Sequence, residues 1–155
     1  MKKLIIHAAI VLIFAGSFSS CTEKSENDFS EPIEIPITEY SLYETGCWLT
    51  NLKIDDKVII INSKKELEKL ITCTDVDYPD IDFSKHTLLF TRGASTTGVA
   101  EVNSIFLQVG SKKYIWKVTV RLNMTQVAQG WYAIILAPKL TNNATIVSEI
   151  QQLHF

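Results

Sequence analysis

The clearest pattern of hydrophobic and polar positions lies in residues 114–122. Apolar side chains occupy every second position, namely Tyr114, Trp116, Val118, Val120 and Leu122, and only Ile115 is apolar on the other face. This period of two predicts a half-buried strand of an antiparallel sheet, preceded by a hairpin turn at 110–113. Shorter apolar runs predict further strands at 48–54, 58–61, 86–91, 102–109, 131–137 and 146–153, with 58–61 paired to 48–54.

One short segment has helical periodicity instead. Ser63 and Glu66 form a capping box, in which each side chain bonds the backbone amide of the other residue. The apolar positions that follow fall on one helical face: Leu67, Leu70 and Ile71. We therefore expect one short helix at about 64–72 in a mostly β (α+β) fold. The architecture expected is an antiparallel β-sandwich or partly open barrel of six or seven strands.

The first 21 residues have the order of a bacterial export signal. Lys2 and Lys3 precede an apolar stretch at 4–14, which is too short to span about 30 Å of hydrocarbon as a helix. Small residues then lead to Cys21, and Phe18-Ser19-Ser20-Cys21 resembles a lipobox, the motif cut after diacylation of its cysteine. We predict a signal peptide at 1–20 and a lipid anchor on Cys21. An ordinary secretory signal is the alternative.

The segment that follows is polar and acidic and contains two prolines, so residues 21–38 predict a flexible tether. The remainder, 39–155, has the length of a single β-rich domain. Glu23, Glu26 and Asp28 resemble the acidic export signals of surface lipoproteins in the Bacteroides group, and the chain after Cys21 is similar to small lipoproteins of that group. The resemblance implies the outer membrane, on either its outer or its periplasmic face.

Charge narrows the classes of partner. The chain has 15 basic and 17 acidic residues; without Lys2 and Lys3, 13 basic residues remain and the net charge is about −4. A nucleic-acid partner would favour a basic patch, so none is expected. The sequence has no catalytic triad motif, no metal-binding histidine pair and no phosphate-binding glycine loop. We therefore predict that the protein is not an enzyme and that it binds neither a cofactor nor a metal ion.

Cys47 and Cys73 are the two other cysteines. An exported protein permits a disulfide between them, and two buried free thiols are the alternative. The acidic cluster of Asp75, Asp77, Asp80 and Asp82 offers oxygen ligands for calcium, but it lacks the glycine and glutamate positions of an EF-hand loop. A solvated turn is the simpler interpretation of that cluster.

The candidate binding loop is Arg92–Gly98, because it joins two strands and carries hydroxyls, a cation and glycines. Its polar members are Arg92, Ser95, Thr96 and Thr97, with Gly98 at its end. A plain connection is the alternative. Exposed tryptophan among Trp48, Trp116 and Trp131 would allow sugar rings to stack, although tryptophan on a sheet is usually core.

The stretch Ile81-Asp82-Phe83-Ser84-Lys85, a following strand and Thr96-Thr97-Gly98 resemble the PrcB-like C-terminal domain family over about 80–140. Val99 stands where that family often has a second glycine. The resemblance implies a small β-sandwich that accompanies and stabilises a protease. Ser95–Gly98 is also similar to the threonine-glycine loop of chagasin-type protease inhibitors, without that family's flanking residues. The expected function is a non-enzymatic protein-binding lipoprotein that stabilises or inhibits a protease, with a carbohydrate-binding accessory lipoprotein as the alternative.

Overall fold

A computed structural model describes residues 28–42, 46–50, 58–74 and 80–154. These residues form ten strands and one helix, α1, at Lys64–Glu68. The short strands come first: β1 Asp28–Glu34, β2 Thr38–Glu39, β3 Cys47–Leu49, β4 Ile59–Ile61 and β5 Ile71–Cys73. The long strands follow: β6 His86–Ser95, β7 Val99–Gly110, β8 Lys113–Leu122, β9 Gln129–Pro138 and β10 Thr145–His154.

The strands form two four-stranded sheets and one two-stranded ribbon. The outer sheet has the order β1-β7-β8-β10, the central sheet has the order β2-β9-β6-β4, and the ribbon pairs β3 with β5. All neighbouring strands are antiparallel except β10, which lies parallel to β8 over its whole length. The expected mostly β fold is confirmed, as an open β-sandwich and not a closed barrel.

The alternation of 114–122 explains the main core. Trp116, Val118 and Val120 are fully buried between the two sheets, with Phe106 from β7 and Ile135 from β9. The opposite face of the central sheet buries Leu88, Phe90 and Ile134 against α1 and the ribbon. The central sheet is therefore covered on both faces, which is why β6 is buried at nearly every position and shows no alternation.

Two local predictions were wrong. The helix predicted at 64–72 has the predicted Ser63 cap but ends after Glu68, and Ile71–Cys73 is a strand. The β-branched Ile71 and Thr72 favour that extended backbone, and a short apolar run does not distinguish helix from strand by periodicity alone. The expected pairing of 58–61 with 48–54 was also wrong, because β4 pairs with β6 and β3 pairs with β5.

The predicted tether also differs from the structure at its end. Residues 28–34, expected to be flexible, form β1 on the edge of the outer sheet, where Asp28 lies opposite Gly110 and Glu34 opposite Leu107. The Lys113 ammonium contacts the Asp28 carboxylate at 2.6 Å. The extended edge position also suits Pro32, which has no amide to donate to a ladder. The first part of the predicted tether, together with Cys21 and the signal segment, lies outside the described residues.

The two cysteines are joined. Cys47 in β3 and Cys73 in β5 are directly opposite each other in the ribbon and form a disulfide with an S–S distance of 2.04 Å. The bond fixes the ribbon, which covers the face of the central sheet that is turned away from the outer sheet.

Within the described residues, no helix is long and apolar enough to cross a membrane.

Candidate functional site

The predicted binding loop lies where the chain passes from one sheet to the other. Strand β6 continues through Ser95, so the connection to β7 is shorter than expected and contains only Thr96, Thr97 and Gly98. The return connection from β8 to β9, residues 123–128, lies at the same end of the sandwich. We call these two connections together the loop end.

Hydrogen bonds hold the threonine turn in one shape. The Ser95 hydroxyl accepts a bond from the Thr97 amide at 3.1 Å, and the two hydroxyl oxygens are 3.3 Å apart. Ser95 is buried, Thr97 is half-buried and Thr96 is exposed. Ser95 therefore has a structural role, and the exposed hydroxyl surface of this turn is limited to the two threonines.

Gly98 connects the turn to the neighbouring loop. Its amide donates to the Thr125 carbonyl at 3.1 Å, and its carbonyl accepts from the Asn123 amide at 2.9 Å. A side chain at this position would collide with the side chains of Asn123 and Thr125. Glycine is required here by the close approach of the two connections, which makes the loop end one hydrogen-bonded unit.

The return loop presents two apolar side chains that the sequence analysis did not identify. Met124 is 87% exposed and Val127 is 66% exposed, the two highest values among the large apolar side chains of the described residues. The Asn123 carboxamide oxygen accepts bonds from the Thr125 amide at 3.0 Å and the Thr125 hydroxyl, which shapes the loop between them. No periodic pattern signals such residues, because they lie in a short connection between strands.

Arg92 is separated from the rest of the predicted loop. It lies within β6 on the face of the central sheet that turns toward the ribbon, while Ser95 faces the core between the sheets. The rise of a strand puts Arg92 roughly 13 Å from Thr96 along the chain. The five predicted residues therefore do not form a single site.

A cleft of about 300 Å³ lies beside Arg92, between the ribbon and the face of the central sheet that the ribbon covers. The ribbon contributes Cys47, Leu49 and Trp48, and Trp48 is 44% exposed. Strands β6 and β9 contribute Arg92, Gly93, Gly130 and Tyr132, and Leu42 and Trp131 complete the lining. The Cys47–Cys73 disulfide holds the ribbon that carries Trp48, so it fixes one wall of the cleft.

The other two tryptophans are core residues. Trp116 is fully buried and Trp131 is 5% exposed, and neither indole nitrogen has a hydrogen-bond partner. The ring of Trp131 covers Gly93, the residue directly opposite it on β6. Trp48 is therefore the tryptophan with a large accessible surface.

The acidic cluster divides between described and undescribed residues. Asp75 and Asp77 lie outside the described residues, and Asp80 is exposed. The Asp82 carboxylate caps the turn before β6, accepting bonds from the Ser84 hydroxyl at 2.5 Å and amide at 3.0 Å and contacting Lys85 at 3.0 Å. These bonds, with the Ser84 hydroxyl first, lower the pKa of Asp82 to about 2. Among the residues described, no three histidine, cysteine or acidic side chains could together hold a metal ion.

A search of protein-family models, curated proteins and solved structures gives no match to this chain.

Proposed function

We propose that this chain is a non-enzymatic cell-envelope lipoprotein that binds a protein partner through its loop end. The observation that carries the proposal is the exposure of Met124 and Val127, at 87% and 66%, on a connection braced by the threonine turn. Apolar side chains at the tip of a loop cost solubility and do nothing for the core. Contact with a partner would remove them from water.

The free energy gained by burying these two side chains suits a modest but specific interface. Complete burial of an exposed Met or Val side chain contributes about 1.5–3 kcal/mol, so this pair, exposed at 87% and 66%, would supply roughly 2–5 kcal/mol. The hydroxyl groups of Thr96 and Thr97 beside them add directional hydrogen bonds. Because Gly98 already bonds both sides of the return loop, little ordering would be needed on binding.

Lipidation of Cys21 would orient this surface. Six residues separate Cys21 from Asp28, so the strand edge at Asp28 would lie within about 25 Å of the lipid. Asp28 pairs with Gly110, at the end of the sandwich opposite the loop end. The ten residues of β8 cover roughly 33 Å between the two ends. The loop end would therefore project away from the membrane, and the anchor would raise its effective concentration toward a membrane-bound partner.

The class of partner follows from the resemblance to the PrcB-like family, which implies a protease that the domain stabilises or inhibits. Asp82, Ser84 and Lys85, which carry part of that resemblance, form the turn that starts β6. The threonines that carry the other part directly follow the end of the same strand. Both segments thus frame one strand of the central sheet, which supports a shared scaffold for the loop end.

The experiment is affinity purification from envelope extract with the tagged full-length protein. We expect a peptidase to copurify with the wild type and to be lost with Thr97→Asp and with Met124→Asp, which put a charge into the contact. Lys112→Glu at the opposite hairpin is the matched control and should retain it. Identical partner sets for all four proteins would refute binding through the loop end.

A second candidate function is a carbohydrate-binding accessory lipoprotein. The observation that favours it is Trp48, 44% exposed on the wall of the cleft, with Tyr132 also in the lining. Acrylamide quenching of tryptophan emission tests its premise, because Trp116 and Trp131 are shielded. Quenching that is lost in Trp48→Phe supports an accessible stacking surface, and no accessible emission in the wild type removes the support.

A further inference from the structure

One edge of the outer sheet lacks the features that normally protect an exposed strand. Strand β10 ends that sheet, bonded in parallel to β8, and no described strand pairs with its other side. It runs for ten residues without a proline or a register shift, and Glu149 is its one side chain charged at neutral pH. Proteins usually shorten, bend or charge an exposed edge, because its backbone groups would otherwise bind another strand.

The other edges of the two large sheets do carry such protection. Strand β1, at the far edge of the outer sheet, contains Pro32, three acidic side chains and a register shift. The edge strands of the central sheet, β2 and β4, have only two and three residues. Among the described edges, β10 is therefore the one suited to pair with a strand of another molecule.

The side chains of β10 alternate between two faces. Ile146 and Ile150 pack against the core, whereas Val147 and Leu153 lie on the outward face and are 54% and 38% exposed. Two polar side chains separate this apolar pair: Glu149 contacts Lys117 of β8 at 3.8 Å, and Gln151 is exposed. The outward face thus has one apolar residue toward each end and a polar pair between them.

This order is self-complementary. If two identical strands pair in antiparallel fashion about Ile150, Val147 lies opposite Leu153 of the second copy and each covers the other. Glu149 then lies opposite Gln151, and Ile150 meets its own copy on the core side. The nearest registers that keep the two faces apart are centred two residues' separation away. Centring on Glu149 sets the two glutamates opposite each other, which is destabilising, and centring on Gln151 sets Glu149 opposite Leu153.

We propose that two copies of this chain pair through β10, antiparallel and centred on Ile150. The two four-stranded outer sheets then form one continuous sheet. Residues 146–154 of each copy form roughly eight to ten main-chain hydrogen bonds, the number found in an ordinary protein interface. One strand edge is a small contact, so the expected affinity is micromolar.

The inference does not rest on partner binding at the loop end, because residues 96–98 and 123–128 take no part in the pairing. Since the paired strands run in opposite directions, the two loop ends lie at opposite ends of the joined sheet. With lipid on both copies, tethers of about 25 Å cannot span the roughly 33 Å length of β8, so the joined sheet lies along the membrane. The pair and the upright single copy are therefore alternative arrangements.

The test is sedimentation equilibrium of the full-length protein in a density-matched detergent at about 5–300 µM, where a micromolar dimer dissociates measurably. Gln151→Lys places an ammonium group opposite Glu149 in both halves of the dimer and should tighten it severalfold. Gln151→Glu places two carboxylates there and should weaken it severalfold. Asn103→Lys and Asn103→Glu, on the same face of β7, are the matched controls and should leave the dimer unchanged.

Folding stability should not produce the same ranking of the two variants. Within one chain, the charged side chains of β8 diagonal to Gln151 are Lys117 and Arg121, so the fold itself favours glutamate over lysine at position 151. Urea unfolding of the two variants checks this order. A tighter dimer of Gln151→Lys therefore reports contact with the second copy.

A monomer throughout the concentration range contradicts pairing through β10. A dimer that neither variant changes contradicts β10 as the interface, and a dimer that both variants weaken contradicts the register. The register is also tested by oxidation of the double variant Val147→Cys/Leu153→Cys, since Cys47 and Cys73 are already bonded to each other. A covalent dimer should form in the double variant only, and equal crosslinking in either single variant contradicts the alignment of Val147 with Leu153.

Discussion

Two adjacent glycines of the central sheet should respond to alanine in opposite ways. Gly93 lies under the indole of Trp131, and a Cβ added there would fall 2.7 Å from Cε2 and closer still to Cζ2. Trp131 is 5% exposed, so its ring has little room to move. Gly130, which precedes Trp131 and lies opposite Ala94 in the ladder, has open space where its Cβ would be. The pair thus separates side-chain collision from the general effect of glycine in a strand.

The expected changes in the free energy of unfolding follow from two opposing contributions. Replacing glycine by alanine within a strand stabilises by roughly 0.5–1 kcal/mol through the backbone, and both variants receive this term. Forcing a methyl group into a packed site costs about 1–3 kcal/mol, and only Gly93→Ala incurs it. We expect Gly130→Ala to be neutral or more stable than the wild type. Gly93→Ala should be less stable than Gly130→Ala by about 1–3 kcal/mol, the size of the packing cost.

The assay is urea unfolding at equilibrium, followed by far-ultraviolet circular dichroism with the disulfide intact, so that altered Trp131 emission does not bias the result. Both variants should keep the m-value of the wild type. Equal stabilities, or a more stable Gly93→Ala, would refute the contact between Gly93 and Trp131 and with it the described packing of this part of the core between the sheets.

Three further results are expected. Replacing Cys47 and Cys73 by serine should lower the free energy of unfolding by about 3.5 kcal/mol in the chain-entropy model for a separation of 26 residues, measured by urea unfolding; a loss below about 1 kcal/mol would contradict it. The low pKa of Asp82 means that its ionised form stabilises the turn above pH 3.8 and that this contribution disappears as pH falls through about 2; carboxyl NMR titration should show Ser84→Ala raising that pKa toward 3.8, and no rise would contradict the hydrogen-bond cause. Thr87→Val should destabilise by about 1–3 kcal/mol in the same unfolding assay, because the buried hydroxyl bonds the Asn62 carboxamide and the Leu140 amide; a neutral result would contradict that network.

Strands β6, β8 and β9 could be predicted because each buries one face or both. The alternation at 114–122 predicted β8, and the apolar runs at 86–91 and 131–137 lie within β6 and β9. The short strands were harder to predict from the sequence. Residues 71–73 extend an apolar helical pattern, and their pairing with Cys47–Leu49, which the sequence does not show, makes them a strand.

The sites depended on tertiary contacts that no local pattern contains. Arg92 and Thr97 are close in sequence, yet one lies beside the ribbon and the other at the corner between the sheets. The sequence did not predict the exposure of Met124, because this residue lies in a short connection without periodicity. It did not predict the cleft either, because the cleft forms only where the disulfide-bonded ribbon places Trp48 near β6. The pairing of β10 with β8 also joins strands separated by a complete crossover to the other sheet.

The central claim, that the loop end is the partner-binding surface, is tested most directly by photocrosslinking in intact cells. A photoreactive amino acid replaces Met124 in one strain and Ser111, at the opposite hairpin, in another. We predict that the probe at 124 crosslinks one envelope protein, identified by mass spectrometry as a peptidase, and that Thr97→Asp in the same chain removes this product. The same products from positions 124 and 111, or a product at 124 that Thr97→Asp leaves unchanged, would contradict the claim.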